Sequence, residues 1–581
     1  MAPTTTFALR AVSLASLLAC SLLTTGLTHA ATLTVDASAV DEDGTEIAAP
    51  GGRVAAQSTV SDGKCSLREA ILSVNTGSNV GDCQATGTYG TDDTINLPAG
   101  IHTLTLGGTD ESYDTGTTPP TVVNTPNAMR GDLDILKSVR IVGAGSGSTS
   151  IVWSTDAIAA SAADRIFHVF TTESAATVQL ALQGVTLGSG RTYGADLGQD
   201  PVATNLHYFF RRAGGAVAVG AAAFIATQDA EASTGDNADN AGGSGGEGES
   251  SATYGLTLDD VIIENSIAQG DGGGLYTSAA TTASRVVIRG NESTTNGGGV
   301  YNEGNTSFSR STIANNTAEG GGGLFATGSN TVNITGVTFS GNRAVGGGAI
   351  SGRAGVTLLI TNSTISGNIG SDVGAGLYTN GNAQLNFVTI ARNLAGADSP
   401  DAGSGINLFP ASSTANAVTL KNVLLEGNKR GWADGMDATA IAELASANCG
   451  VTGGGLPVTS SGSNLSSDGT CADWLIHAKD LNDTDPKIGD LADNGGATFT
   501  HALLVGSPAL GAGTADGSVT TDQRGVTRDG TPDIGAYETP TGGDGGGCTA
   551  ATGNRPVDPV LPLLASLGLF GWALRRFRRD R

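Results

Sequence analysis

The stretch SFSRSTIANNTAEGGGGLFATGSNTVNITGVTFSGNRAVGGGAISG, residues 307–352, states one phrase twice. Each half runs a short β-branched strand, an Asn, a set of glycines and one apolar residue. The phrase extends in both directions. The last apolar residue of each strand falls at Ile263, Ile288, Ile313, Phe339, Ile365, Ile390 and Leu425, in steps of 25, 25, 26, 26, 25 and 35. Three residues after most of them stands an Asn: Asn291, Asn316, Asn342, Asn368, Asn393 and Asn428. Glycines then return ahead of an apolar residue, as in Gly297-Gly298-Gly299-Val300 and Gly321-Gly322-Gly323-Leu324.

A repeat of about 25 residues marks a solenoid, a propeller or an array. It is too short for a propeller blade, and it lacks the leucine ladder and helices of leucine-rich repeats. Gly, Thr and Asn are poor helix formers and suit strands joined by tight turns. The spacing predicts an all-β solenoid, a parallel β-helix with about 25 residues per coil and coils roughly 4.8 Å apart. No coil of this kind buries its own core, so each must match its neighbours position by position. Ile288, Ile313, Phe339, Ile365 and Ile390 are expected in one interior column. The six Asn are expected to form a structural ladder at an αL corner, each amide bonded to those above and below.

Glycine, 88 of 581 residues, is about twice as common as usual and fits many narrow turns. The formal charge of −25 makes nucleic acid a poor partner. Residues 1–30 read as a secretory signal: Arg10, an apolar run from Ala11 to Leu27, and a small-residue site at Thr28-His29-Ala30. At the other end, Val557 to Leu574 is apolar and is followed by Arg575, Arg576, Arg578 and Arg579, as in a spanning segment with a cytoplasmic basic end. In an oxidising compartment Cys65 is expected to pair with Cys83, and Cys449 with Cys471. Cys548 is left over, after Gly545-Gly546-Gly547, where a lipid-modified anchor point would explain it.

Further strands ending in glycine, GDLDILKSVRIVGAG (131–145), DRIFHVF (164–170) and LQGVTLGSG (182–190), start the array earlier. Residues 219–254 read as a low-complexity excursion, and a smaller one is expected near 396–416. The segment CSLREAI (65–71) with DTINLPAGIHTLTL (93–106) resembles the start of CSLREA-domain surface proteins. DPKIGDLADNGGATFTHALLVGSPALGAG (485–513) and DQRGVTRDGTPDIGAYE (522–538) resemble the end of choice-of-anchor Q proteins, although Gly511 stands where relatives usually carry Asp. The tail from Gly545 is similar to C-terminal sorting signals of the JDVT type. The resemblance implies export from a bacterium, a right-handed β-helix between N- and C-terminal capping segments, a processed anchor at the cell surface or outer membrane, and no settled activity. The chain then divides into a signal (1–30), an N-terminal cap and first coils (31–130), the β-helix (131–430), the last coils and cap (431–540), a Gly-rich linker (541–547) and a sorting or transmembrane segment (548–581). A sorting protease acting at Gly547-Cys548 is implied as a partner.

Catalysis has little to stand on. A hydrolase needs two carboxylates facing across the scissile bond, and Asp259-Asp260 offers one candidate half. His29, His102, His168, His207, His477 and His501 share no spacing, and Arg285, Arg289, Arg310, Arg343 and Arg392 read as solvated. Asp480, Asp483, Asp485, Asp490 and Asp493 could offer oxygen ligands to Ca²⁺, but turn chemistry serves as well, so no metal and no cofactor are assigned. The expected function is an adhesin-like or structural surface module facing an extracellular polysaccharide or a neighbouring cell. The alternative is a lyase or hydrolase of an acidic polysaccharide. A face lined by carboxylates favours the enzyme, and a uniform Thr/Ser/Asn face favours binding.

Overall fold

The computed structural model describes residues 29–36, 63–104, 132–153, 165–169, 176–192, 214–219, 253–396, 403–409, 417–454 and 457–540, with strand positions 113–114 and 121–122. Three stacks of parallel strands enclose one core. A long 19-stranded sheet takes up to two strands from each coil, and a ten-stranded sheet runs from Leu133–Ile135 to Cys449–Val451. Short strands form the third side, from Arg191–Thr192 through Arg343–Gly346 to Lys429–Trp432. Stacking starts early: Thr32–Thr34 pairs with Asp93–Asn96, which pairs with Val139–Val142.

The interior column forms in the expected register. Ile263 pairs with Ile288, then Ile313, Phe339, Ile365, Ile390 and Leu425. All seven are fully buried. The column also extends upstream through Leu187 to Ile151 and His102.

The Asn ladder forms as well. Asn291 Nδ2 donates to Asn316 Oδ1 (3.0 Å), Asn316 to Asn342 (3.0 Å), Asn342 to Asn368 (3.0 Å), Asn368 to Asn393 (2.9 Å) and Asn393 to Asn428 (2.8 Å). Each Nδ2 also donates to the carbonyl of a column residue, as Asn316 does to Ile288 O (2.9 Å). The same oxygens accept the backbone N–H of the preceding Asn, so the ladder satisfies groups that would otherwise be buried unpaired. Two details differ from expectation. The ladder continues to Asn448 and closes on Asp468, whose Oδ2 accepts from Asn448 N (3.1 Å). The αL residue is the one before each Asn, namely Gly290, Asn315, Gly341, Gly367, Arg392 and Gly427. That residue turns the chain, which leaves the Asn in position to bond across coils.

The glycine corner has a division of labour. The first glycine is αL: Gly297 has φ +68° and Gly321 +57°. The second has no room for a side chain. A Cβ on Gly298 would lie 2.5 Å from Thr317 O, and one on Gly322 2.5 Å from Gly348 O. At these coils successive corners touch through backbone, whereas Ala375 and Ser404 take the second position in later coils.

At the N-terminal end the CSLREAI stretch forms a helix, Leu67–Thr76. Ser66 caps it, and Glu69 returns the bond to Ser66 N, a capping box. Arg68 donates to Asp132 O (3.3 Å) and Asn75 to Asp134 O (2.8 Å), which docks the helix on the coils. Both expected disulfides are present, Cys65–Cys83 and Cys449–Cys471. Each closes a short loop, worth about 3 kcal/mol in the chain-entropy model.

The region near 396–416 is not one excursion. It contains Ile406–Leu408, which continues the ten-stranded sheet between Leu377–Thr379 and Cys449–Val451. The 35-residue step arises because insertions flank this strand. The body of the 219–254 excursion, the signal before residue 29, and Gly547 and Cys548 lie outside the described residues. Among the described residues no helix is long and apolar enough to cross a membrane.

Residues 458–487 complete the C-terminal end, with Cys471 and Leu475 in the main core. Residues 488–540 run back along the side of the rod, over the outer face of the long sheet. Gln523 Nε2 donates to Thr338 Oγ1 (2.8 Å), and its Oε1 accepts from Thr364 Oγ1 (2.7 Å). Ala536 N bonds Thr389 Oγ1 (3.0 Å), and Lys421 pairs with Asp516 (2.8 Å). Ile488, Ala509 and Ile534 pack on the outward Ala391, Leu424 and Leu465. This segment is a strap over the last coils.

His501 gives the strap a pH dependence. It is buried, with Nδ1 2.8 Å from Gly489 O and Nε2 2.8 Å from Ser366 Oγ. Nδ1–H therefore donates to the carbonyl, and Nε2 accepts from the hydroxyl, which is the neutral ring. Burial pushes its pKa down to about 4, and nearby Arg392 adds to this, against Gly489 O and Asp490. Between pH ~6.5 and about 4 the unfolded chain therefore binds a proton that the folded one does not. Stability is complete above pH ~6.5 and falls through this window, by on the order of 3 kcal/mol. Proteolysis of the strap is expected to rise from pH 7.5 to 4.5, and His501→Gln is expected to flatten that rise. An equal rise in both proteins contradicts the assignment.

Candidate functional site

Outward residues of the long sheet form continuous files because the strands pair without a shift. One file runs Thr257, Thr282, Ser307, Asn333, Leu359, Gln384, Thr419, Thr459. Beside it run Asp259, Ser284, Ser309, Thr335, Thr361, Asn386 and Lys421. Thr257, Thr282, Asn333, Thr335, Gln384 and Thr459 are exposed. The face is mostly a grid of hydroxyl and amide groups at the coil spacing, interrupted by Leu359 and Lys421, with one carboxylate at its start and the strap's Asp516 over Asn386 and Lys421.

The kink dividing each long-sheet coil is αL: Asp260 (φ 55°), Arg285 (54°), Arg310 (49°), Gly336 (69°), Asn362 (46°), Phe387 (55°) and Asn422 (55°). Such a φ is uncommon outside Gly, Asn and Asp, and for a bulky residue needs support. Phe387 has that support: the Arg528 guanidinium of the strap stacks on its ring at 3.8 Å. Asp259 and Asp260 do not face each other across a cleft. Asp259 pairs with Arg285 (2.6 Å), and Asp260 accepts from Ser146 Oγ (2.9 Å).

The ten-stranded sheet carries a different file on its outer face: Asp134, His168, Ala218, Tyr276, Tyr301, Phe325, Ser351, Tyr378, Asn407. Tyr276 and Tyr301 stack at 5.4 Å, as do Tyr301 and Phe325, nearly parallel. Glu303 accepts from Tyr276 OH (2.8 Å) and Tyr301 OH (3.3 Å). Burial pushes the Glu303 carboxyl up, against both tyrosine hydrogen bonds, and nearby Asp271 raises it further. Asp271 is also raised by burial, although Thr295 and Asn296 donate to it. The Arg353 guanidinium lies over the Phe325 ring at 5.1 Å. Burial also pushes both tyrosine hydroxyls up, so they stay neutral donors to Glu303 in a hydrogen-bonded buried cluster. The sequence carried this signal in GGGLYT, GGGVYN, GGGLFA and GAGLYT, where an aromatic follows the apolar residue.

The start of that file gathers residues that share no sequence spacing. Asp132, Asp134 and His168 place ligand-type atoms within 4.8 Å of one another, all buried. Arg165 Nε sits 2.6 Å from Asp132 Oδ2, and His168 Nδ1 3.6 Å from Asp134 Oδ1. A guanidinium already bound to one carboxylate repels a cation, so the group fits an internal ion network better than a metal centre. The Asp480–Asp493 carboxylates serve separate local structures. Asp480 accepts from Asn464 N (3.0 Å), Asp485 from Lys487 N (2.9 Å), Asp493 from Gly495 N (3.0 Å), and Asp490 pairs with Arg392.

A family model described as the right-handed β-helix region matches residues 275–470. Among solved structures the chain is similar to pectate lyase Pel9A, with 13% identity and a TM-score of 0.40 over 77% of this chain and 88% of that one. It is also similar to the A-module of the Azotobacter vinelandii mannuronan C-5 epimerase AlgE6, with 14% identity and a TM-score of 0.30 over 64% and 90%. A third, Geobacillus virus E2 ORF18, shows 11% identity and a TM-score of 0.30 over 60% and 52%. No curated protein matches the chain. Strand register and the matched region agree on the fold: the chain is an all-β, right-handed parallel β-helix.

Proposed function

We propose that this is an exported, surface-anchored β-helix rod that binds an extracellular polysaccharide through the outer face of its long sheet, as an adhesin-like or structural surface module. The observation that carries it is the Thr/Ser/Asn grid from Thr257 to Thr459. Hydroxyl and amide groups both donate and accept, which suits sugar hydroxyls, and their repeat along the rod suits a polymer. Two disulfides fit folding in an oxidising compartment. The tail after Gly547 is read as a sorting signal removed by a protease, with Cys548 at the membrane face as the anchor point.

The purified exported protein is expected to bind polysaccharides on a glycan array. It is expected to release neither reducing sugar nor unsaturated uronate. Intact mass is expected to show loss of the tail, and a mature chain still ending at Arg581 removes the processing step.

The second reading, a polysaccharide lyase or hydrolase, is favoured by one observation, the raised Glu303 and Asp271 carboxyls beside Tyr276 and Tyr301. It requires uronate or sugar release that Glu303→Gln abolishes while binding survives.

A further inference from the structure

The rod is not uniformly acidic. Between Gly272 and Ser371 the chain carries five arginines against three glutamates, within a protein of net charge −25. The outward face of the long sheet carries no carboxylate over 280–289, 305–314 and 331–340. It does carry Arg285, Arg289 and Arg310. Arg285 and Arg310 occupy the same kink in successive coils, both αL and both exposed. The next coil places Gly336 there. An arginine held in that conformation, where glycine sits in the next coil, points to a use for its charge. Arg285 is partly matched by Asp259, and Arg289 by Glu264. Among the described residues Arg310 has no ion pair. The strap reaches only the last of these segments, at Gly336 and Thr338, and leaves Arg285 and Arg310 uncovered.

We propose that this open face, centred on Arg285 and Arg310, binds an anionic linear polysaccharide laid along the rod. Arg285 and Arg310 would take its carboxylate or sulfate groups. Ser284, Ser307, Ser309 and Thr282 would take its hydroxyls. Guanidinium is suited to both anions because its fork of N–H donors bonds two oxygens at once. The inference rests on the polysaccharide-binding reading above and adds the charge class and the coils that recognise it.

The test measures binding of the full exported protein to a polyuronate, a sulfated glycan, a neutral glucan of similar length and single-stranded DNA. The variants are Arg310→Gly and Arg285→Gly/Arg310→Gly. Glycine suits the αL kink, so both variants are expected to fold, which thermal unfolding checks. The polyuronate or the sulfated glycan is expected to bind more tightly than the glucan, and comparing these two identifies the anion. Arg310→Gly is expected to weaken that binding about threefold, and the double variant about tenfold, with a shallower salt dependence. Equal binding of neutral and anionic glycans, unchanged in the double variant, overturns this inference and leaves polysaccharide binding standing. DNA bound as tightly as the polyuronate also overturns it, because any polyanion then suffices. If no glycan binds, both readings fail.

Discussion

Replacing Ile313 by Asp is expected to unfold several coils at once. Ile313 is fully buried between Ile288 and Phe339, and its own coil has no other way to close. An unpaired carboxylate there either stays ionised in an apolar column or takes up a proton, and the loss is expected to be about 4 kcal/mol or more. Solenoid stability comes from contacts between neighbouring coils, so the damage spreads along the rod. Denaturant unfolding followed by circular dichroism measures it. Asn333→Asp is the control, an exposed outward position next to the buried Ile334, expected to change stability by under about 1 kcal/mol. Equal effects of the two substitutions would sink the register.

Arg528→Ala is expected to release the strap and leave the rod folded. Arg528 is buried, pairs with Glu538 (3.0 Å), and donates to Asn362 Oδ1 (3.0 Å) and Gly535 O (2.9 Å). It also stacks on Phe387, which is buried in the αL kink. Removing the cation strands Glu538, whose carboxyl burial already pushes up. Breaking one partner of a buried pair costs about 3–5 kcal/mol. Limited proteolysis is expected to cut within 488–540 while the coils resist. Adding Glu538→Gln is expected to recover part of the loss. A strap as resistant in Arg528→Ala as in the parent protein contradicts its role.

The features readable from sequence were those that every coil must repeat. Ile313 and Asn316 each have a counterpart one period away, so periodicity located both the column and the ladder. Asn448 escaped because it follows Asn428 by 20 residues, not 25, across a changed coil. The αL assignment missed by one residue because Gly, Asn and Arg alternate at the turning position, while the bonding Asn is constant. The strap had no period to betray it. Gln523 meets Thr338 across 185 residues through contacts made once. Asp132, Asp134 and His168 come together only because two irregular early coils stack. The aromatic file was repetitive and therefore legible, but glycine dominated the phrase that contained it.

The long-sheet face is the centre of the functional account, and hydrogen exchange locates a ligand on it. The purified protein would be compared with and without a saturating polysaccharide identified on the array. Slowed exchange is expected over 280–289, 305–314 and 331–335, ahead of the strap contacts at Gly336 and Thr338, with residues around Glu303 and Asp271 unchanged. Protection at Glu303 and Asp271 instead, with the long sheet unaffected, would contradict it and move the site to the ten-stranded sheet.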